Sequence, residues 1–113
     1  MGASLTKIIV NPGVCGFPAT IEVTKIGKRH FSLKIETECD KLRALSRQVQ
    51  TIDFMQAFQP AAQSDLYRAA AECTLHAACT IPVAVIKALE VEAGLALPRD
   101  VAIHFEKEPE SNS

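Results

Sequence analysis

Apolar residues recur at every second position over two neighbouring stretches of the chain. In residues 19–26 (ATIEVTKI), Ile21 and Val23 face one way while Glu22 and Thr24 face the other. In residues 30–37 (HFSLKIET), Phe31, Leu33 and Ile35 alternate with His30, Ser32, Lys34 and Glu36. A period of two is the signature of a strand with one face buried, and the short turn at Gly27-Lys28 makes the pair a hairpin. Residues 5–10 (LTKIIV) are short, β-branched and stopped by Asn11-Pro12-Gly13, which adds a strand in front. Three strands in sequence give an up-down-up antiparallel meander.

The period then lengthens. Leu42, Leu45 and Val49 share one face of a helix over 41–50, with Asp40 as its cap. Residues 51–58 read as a short helical piece carrying Phe54, Met55 and Phe58, ended by Pro60. Ser64 caps a helix that runs through Leu66, Tyr67, Ala70 and Cys73 to about residue 78. Thr80 and Pro82 open another, with Val83, Ile86 and Leu89 on it and Gly94 as its stop. Alternation returns in residues 100–106 (DVAIHFE), where Val101, Ile103 and Phe105 predict a final strand. The expectation is an α+β fold: a three-stranded antiparallel meander, three or four helices on one face, and a C-terminal strand. It forms one domain over residues 1–106, and the polar stretch 107–113 reads as a disordered tail.

Composition narrows the function. The chain has 113 residues, 48% of them hydrophobic, which suits one core. A formal charge of −1 argues against nucleic acid as partner, since a phosphate backbone calls for clustered excess Lys and Arg. The only dense basic run, residues 25–29, reads as a solvated turn. No stretch is apolar and long enough for a membrane span or a signal peptide, so a reducing, cytoplasmic setting is expected. In that setting four cysteines do not imply disulfides.

Three of the cysteines fall where loops or helix starts are predicted. Cys15 sits in the Gly- and Pro-rich loop Asn11-Pro12-Gly13-Val14-Cys15-Gly16-Phe17-Pro18. Cys39 precedes the Asp40 cap and Cys79 precedes the Thr80 cap, where free amide donors and the helix dipole favour thiolate. In an up-down-up meander the loop holding Cys15 and the exit holding Cys39 share one edge of the sheet. Cys73, His76 and Cys79 make a Cys-x2-His-x2-Cys string in which Cys73 and His76 would share a helical face. A tetrahedral zinc site could draw four ligands from Cys15, Cys39, Cys79 and either Cys73 or His76, and an iron–sulfur cluster could use the same thiols. Cys73, among alanines, also suits plain core packing. His30 and His104 fall on outward strand positions and should be exposed.

No phosphate loop, nucleophile elbow or acid–base pair is visible, and no residue is singled out as catalytic. Three motifs, Asn11–Phe17, His76-Ala77-Ala78-Cys79-Thr80-Ile81-Pro82 and Ala93-Gly94-Leu95-Ala96-Leu97-Pro98, resemble those of a family of roughly hundred-residue prokaryotic proteins of unknown function. That family shares a Cys-Gly-Phe loop, a cysteine after the third strand and a Cys-x-x-Pro element. The resemblance covers nearly all of residues 7–106 and carries over Cys15, Cys39 and Cys79; Cys73 has no motif counterpart. It implies a fold and no activity.

Three readings stand at this point. The first is a small protein holding zinc or an iron–sulfur cluster through those cysteines. The second is thiol-based redox or sulfur-transfer chemistry, with Cys79 as a nucleophile of lowered pKa and Cys15 or Cys39 resolving. The third is a non-enzymatic homo-oligomeric or partner-binding module in which the cysteines only pack.

Overall fold

The computed structural model describes residues 4–107. The sheet is a four-stranded antiparallel meander in the order β1-β2-β3-β4, formed by Thr6–Val10, Ala19–Lys25, His30–Thr37 and Thr51–Asp53. Its register sets Ile8 opposite Ile21 and Ile21 opposite Ile35, so the apolar set of each strand lies on one face. Ala19, Ile21, Val23, Phe31, Leu33 and Ile35 are all buried there. On the other face Lys7, Glu22 and Lys34 line up across three strands.

Four helices follow from the lengthened apolar period: α1 over Asp40–Gln48, α2 over Phe54–Ala57, α3 over Asp65–Glu72 and α4 over Ile81–Glu92. Leu42 and Leu45 of α1, Leu66 and Ala69 of α3, and Ile81, Val85, Ala88 and Leu89 of α4 join the buried strand residues in one core. The expected α+β class therefore holds.

Among the strands, two differences from expectation appear. Residues 51–53 form a strand, because Ile52 pairs across from Phe31 and is buried beside it. The helix begins only at Phe54, where the Asp53 carboxylate accepts from the Met55 N–H at 3.0 Å. Arg29 holds the same carboxylate through its Nε and Nη2 groups, which fixes the hairpin end to β4. The predicted strand at 100–106 is the second difference. That segment forms no strand and pairs with nothing in the sheet, so alternation alone did not bring it a neighbour. Of the stretch expected to be a disordered tail, residues 108–113 lie outside the described part.

The direction of α4 decides at which end of the sheet Cys79 lies. Its last turn is held at the lower end by Glu92, which accepts from Ser4 Oγ at 2.5 Å, Thr6 Oγ1 at 2.6 Å and the Lys25 N–H at 3.3 Å. Partial burial works to raise the Glu92 carboxyl, but these donors and the Lys25 charge hold it below the usual carboxylate range. A 12-residue helix is about 18 Å long, and the strands beneath it are of similar length at roughly 3.3 Å per residue. The N-terminus of α4 therefore lies over the upper edge, where Val10, Ala19 and Thr37 are found.

Helix α3 ends earlier than its apolar pattern indicates. Cys73 is its C-cap, and the Thr74 and Leu75 N–H groups donate to Ala71 and Ala70, both at 3.0 Å, in a Schellman arrangement. This closure puts Thr74 at φ 56°, a left-handed conformation that a β-branched residue resists. The same position after α4 is Gly94, at φ 78°. Replacing Thr74 with Gly should remove a penalty of about 1–2 kcal/mol and give back part of it as unfolded-chain entropy. We expect a net gain of about 0.5–1 kcal/mol in urea unfolding; a loss would show that the Thr74 hydroxyl bond to the Cys73 carbonyl outweighs the backbone strain.

Candidate functional site: a sheet edge carrying three thiols

The upper edge receives a cysteine from each of three separate segments. Cys15 closes a short 3-10 turn, Gly13–Cys15, inside the β1–β2 connection, and the Gly16 N–H bonds back to the Gly13 carbonyl at 3.0 Å. Gly13 and Gly16 sit at φ 76° and 81°, so this turn needs glycine for its backbone although a side chain would find room at either place. Cys15 itself is exposed.

Cys39 leaves the top of β3 two residues after Thr37, which pairs with Ala19 at the end of the Cys15 loop. It occupies the N-cap position of α1, one residue earlier than Asp40 was expected to cap, and its carbonyl accepts from the Arg43 N–H at 2.9 Å. Thr37 shapes this corner: its Oγ1 accepts from the Cys39 N–H at 3.1 Å and its carbonyl from Arg43 Nε at 2.8 Å. Sequence reasoning missed both residues, although Arg43 stands one helical turn after the Asp40 with which it pairs.

Cys79 arrives from the opposite layer, just before α4. The Ile81 N–H donates to its sulfur and favours the thiolate, as expected at a helix start. Burial works the other way and dominates, and the neighbouring Cys15 and Cys39 sulfurs add to it, so the Cys79 thiol is pushed above its ordinary range. The lowered pKa expected for a Cys79 nucleophile is thus overturned by desolvation. The influence of Cys15 and Cys39 on Cys79 also means that each of those two sulfurs is within electrostatic reach of Cys79. They are not yet a closed ligand set: among the described residues, no three His, Cys, Asp or Glu side chains are grouped tightly enough to hold a metal ion.

Cys73 and His76 take separate places. Helix α3 stops before His76, so the helical face they were expected to share does not form. The Cys73 thiol donates to Gln48 Oε1 at 3.4 Å, beside the C-terminal end of α1. Cys39 is at the other end of that nine-residue helix, which is about 13 Å long. His76 is exposed and begins the turn His76-Ala77-Ala78-Cys79, closed by the Cys79 N–H to His76 carbonyl bond at 3.0 Å. It therefore stays near Cys79 while Cys73 does not approach the edge. His30 and His104 are exposed, as anticipated. In the residue after Cys79, Thr80 Oγ1 is buried without a hydrogen-bond partner among the described residues.

These features define a small α+β protein with three thiols, two of them partly buried, collected at one edge of an antiparallel sheet. The chain belongs to a family of unknown function (DUF6951), whose sequence profile matches residues 6–105. No curated protein and no solved structure matches it. Among the described residues no helix is long and apolar enough to cross a membrane.

The raised Cys79 pKa has a defined consequence for stability. The folded state holds the thiol proton more tightly than the unfolded chain, so this contribution is complete below the ordinary thiol pKa of about 8.5. It is lost as pH rises through that value toward the folded one. Urea unfolding across this range should show stability falling with pH, and the slope should lessen in Cys79→Ser. Cys79 should also alkylate more slowly than exposed Cys15, and titrate lower, though not normally, when Cys15 and Cys39 are both serine.

Proposed function

We propose that this is a small metal-binding protein that holds zinc or an iron–sulfur cluster through Cys15, Cys39 and Cys79. The observation that carries this reading is the delivery of three thiols from three distant segments to one edge, near enough for Cys15 and Cys39 to alter the Cys79 proton affinity. Thiolates placed together repel, which raises the cost of ionising each one; a bound cation reverses that sign and turns the cluster into a favourable arrangement. The donor set fits: zinc and iron–sulfur clusters both take thiolate ligands, zinc at about 2.3 Å.

Loading requires the edge to contract, and Cys15 is the mobile partner in that step because it is exposed on a loop. His76, one turn from Cys79, is the candidate for the fourth ligand; otherwise the position stays open to a small molecule. Cys73, engaged with Gln48, is left out of the set. Thiol redox chemistry at Cys79 has less support, since burial holds that sulfur protonated at neutral pH.

Protein purified under strict exclusion of oxygen should contain stoichiometric zinc or iron, and the iron form should show charge-transfer absorption. Serine at position 15, 39 or 79 should each lower the metal content at least about tenfold, while Cys73→Ser keeps it. Zinc titrated into metal-free protein should release protons, as coordinated thiols ionise. Absence of both metals together with a featureless visible spectrum would refute the reading.

A further inference from the structure

We infer that residues 99–107 form a donor strand that completes the sheet of a second copy of this chain, pairing with the free edge of its β1. The segment has the sequence of a strand and none of its contacts. Every residue from Gly94 to Lys107 is exposed, and Val101, Ile103 and Phe105, on one side of the alternation, are 62%, 77% and 89% exposed. Its backbone N–H and C=O groups have no partner among the described residues beyond a local turn from Arg99 to Leu97. The molecule measures 61 × 30 × 27 Å, with a radius of gyration of 15.5 Å, against about 13 Å for a compact chain of this size. The arm, exposed along its whole length, is the segment to which we assign that excess length.

The same chain carries the matching acceptor. β1 is an edge strand, and on its outward face Ile9 is 71% exposed. On its inward face Thr6, Ile8 and Val10 stay half-buried, whereas the paired positions Val23, Ile21 and Ala19 of β2 are fully covered. The inward face of β1 is thus less covered than that of β2, and one more strand beside it would complete the cover. The missing strand should place apolar residues at three alternate positions, and Val101, Ile103 and Phe105 have the same spacing as Thr6, Ile8 and Val10. Unpaired edges with exposed apolar residues invite a further strand, and a chain that presents both a free strand and a free edge is complementary to itself. A twofold exchange of arms covers β1 and pairs the arm in both copies. Extended, residues 95–107 span about 40 Å, enough to cross a second body.

The test uses the full chain with reductant and chelator present, so that neither disulfides nor metal can join two copies. Sedimentation equilibrium should show a dimer that dissociates on dilution. The double substitution I103D/F105D should weaken dimerisation at least about a hundredfold while leaving circular dichroism and the unfolding midpoint of the monomer unchanged. Amide exchange should be slow in both the arm and β1 of the dimer, and fast in the arm of the variant. A chain that is monomeric at every concentration would overturn the inference, as would a dimer that survives I103D/F105D. Protected arm amides in a monomer would do so as well, since the arm would then be folded back on its own β1.

Discussion

The pairing of β2 with both of its neighbours governs the rest of this molecule. Ile21 and Val23 are fully buried, and each is flanked across the register by an apolar residue of β1 and β3 or by a partly covered one. A slip by one residue would turn all of these outward, so hydrophobic burial leaves a single register. That register sets which loop residues share an edge. Because Val10 pairs with Ala19 and Ala19 with Thr37, the Cys15 loop and the Cys39 corner lie side by side. The third thiol depends on α4, whose apolar residues Val85, Ala88 and Leu89 pack on the sheet while Glu92 holds the far end.

Opposing forces act on the sulfur that arrives last. A helix start favours negative charge through its free N–H groups, and Ile81 supplies one of them to Cys79. The same packing that brings α4 onto the sheet removes water from that thiol. Burial wins, and the neighbouring sulfurs reinforce it. Position at a helix terminus is therefore a poor guide to thiol reactivity unless solvent access is known as well. For a nucleophile this balance is adverse. For a ligand it is tolerable, because the incoming cation supplies the favourable charge that solvent does not.

Much of this was legible from the pattern of residues. Three strands, their alternation and the common edge of Cys15 and Cys39 come from period-two segments joined by Gly-containing turns. The end of α4 at Gly94 came from glycine chemistry. Other features depend on long-range packing that local pattern does not encode. Thr51-Ile52 became a strand only because Phe31 and Ser32 offered it a partner. Helix α3 ended at Glu72 although alanines continue beyond it, through a closure that forces Thr74 into a strained conformation. That early stop separated Cys73 from His76. The alternation in 100–106 has the period of a strand, yet the segment forms none and pairs with no described strand, because period alone does not supply a neighbour.

The convergence of sulfurs can be measured without reference to any metal. Mild oxidation of the dilute, metal-free protein, followed by peptide mapping of the monomer, reads which thiols meet. Intramolecular disulfides should join Cys79 to Cys15 or Cys39, or Cys15 to Cys39, while Cys73 stays reduced. Preferential bonding of Cys73, or no intramolecular disulfide at all, would contradict the gathering of the three sulfurs at one edge.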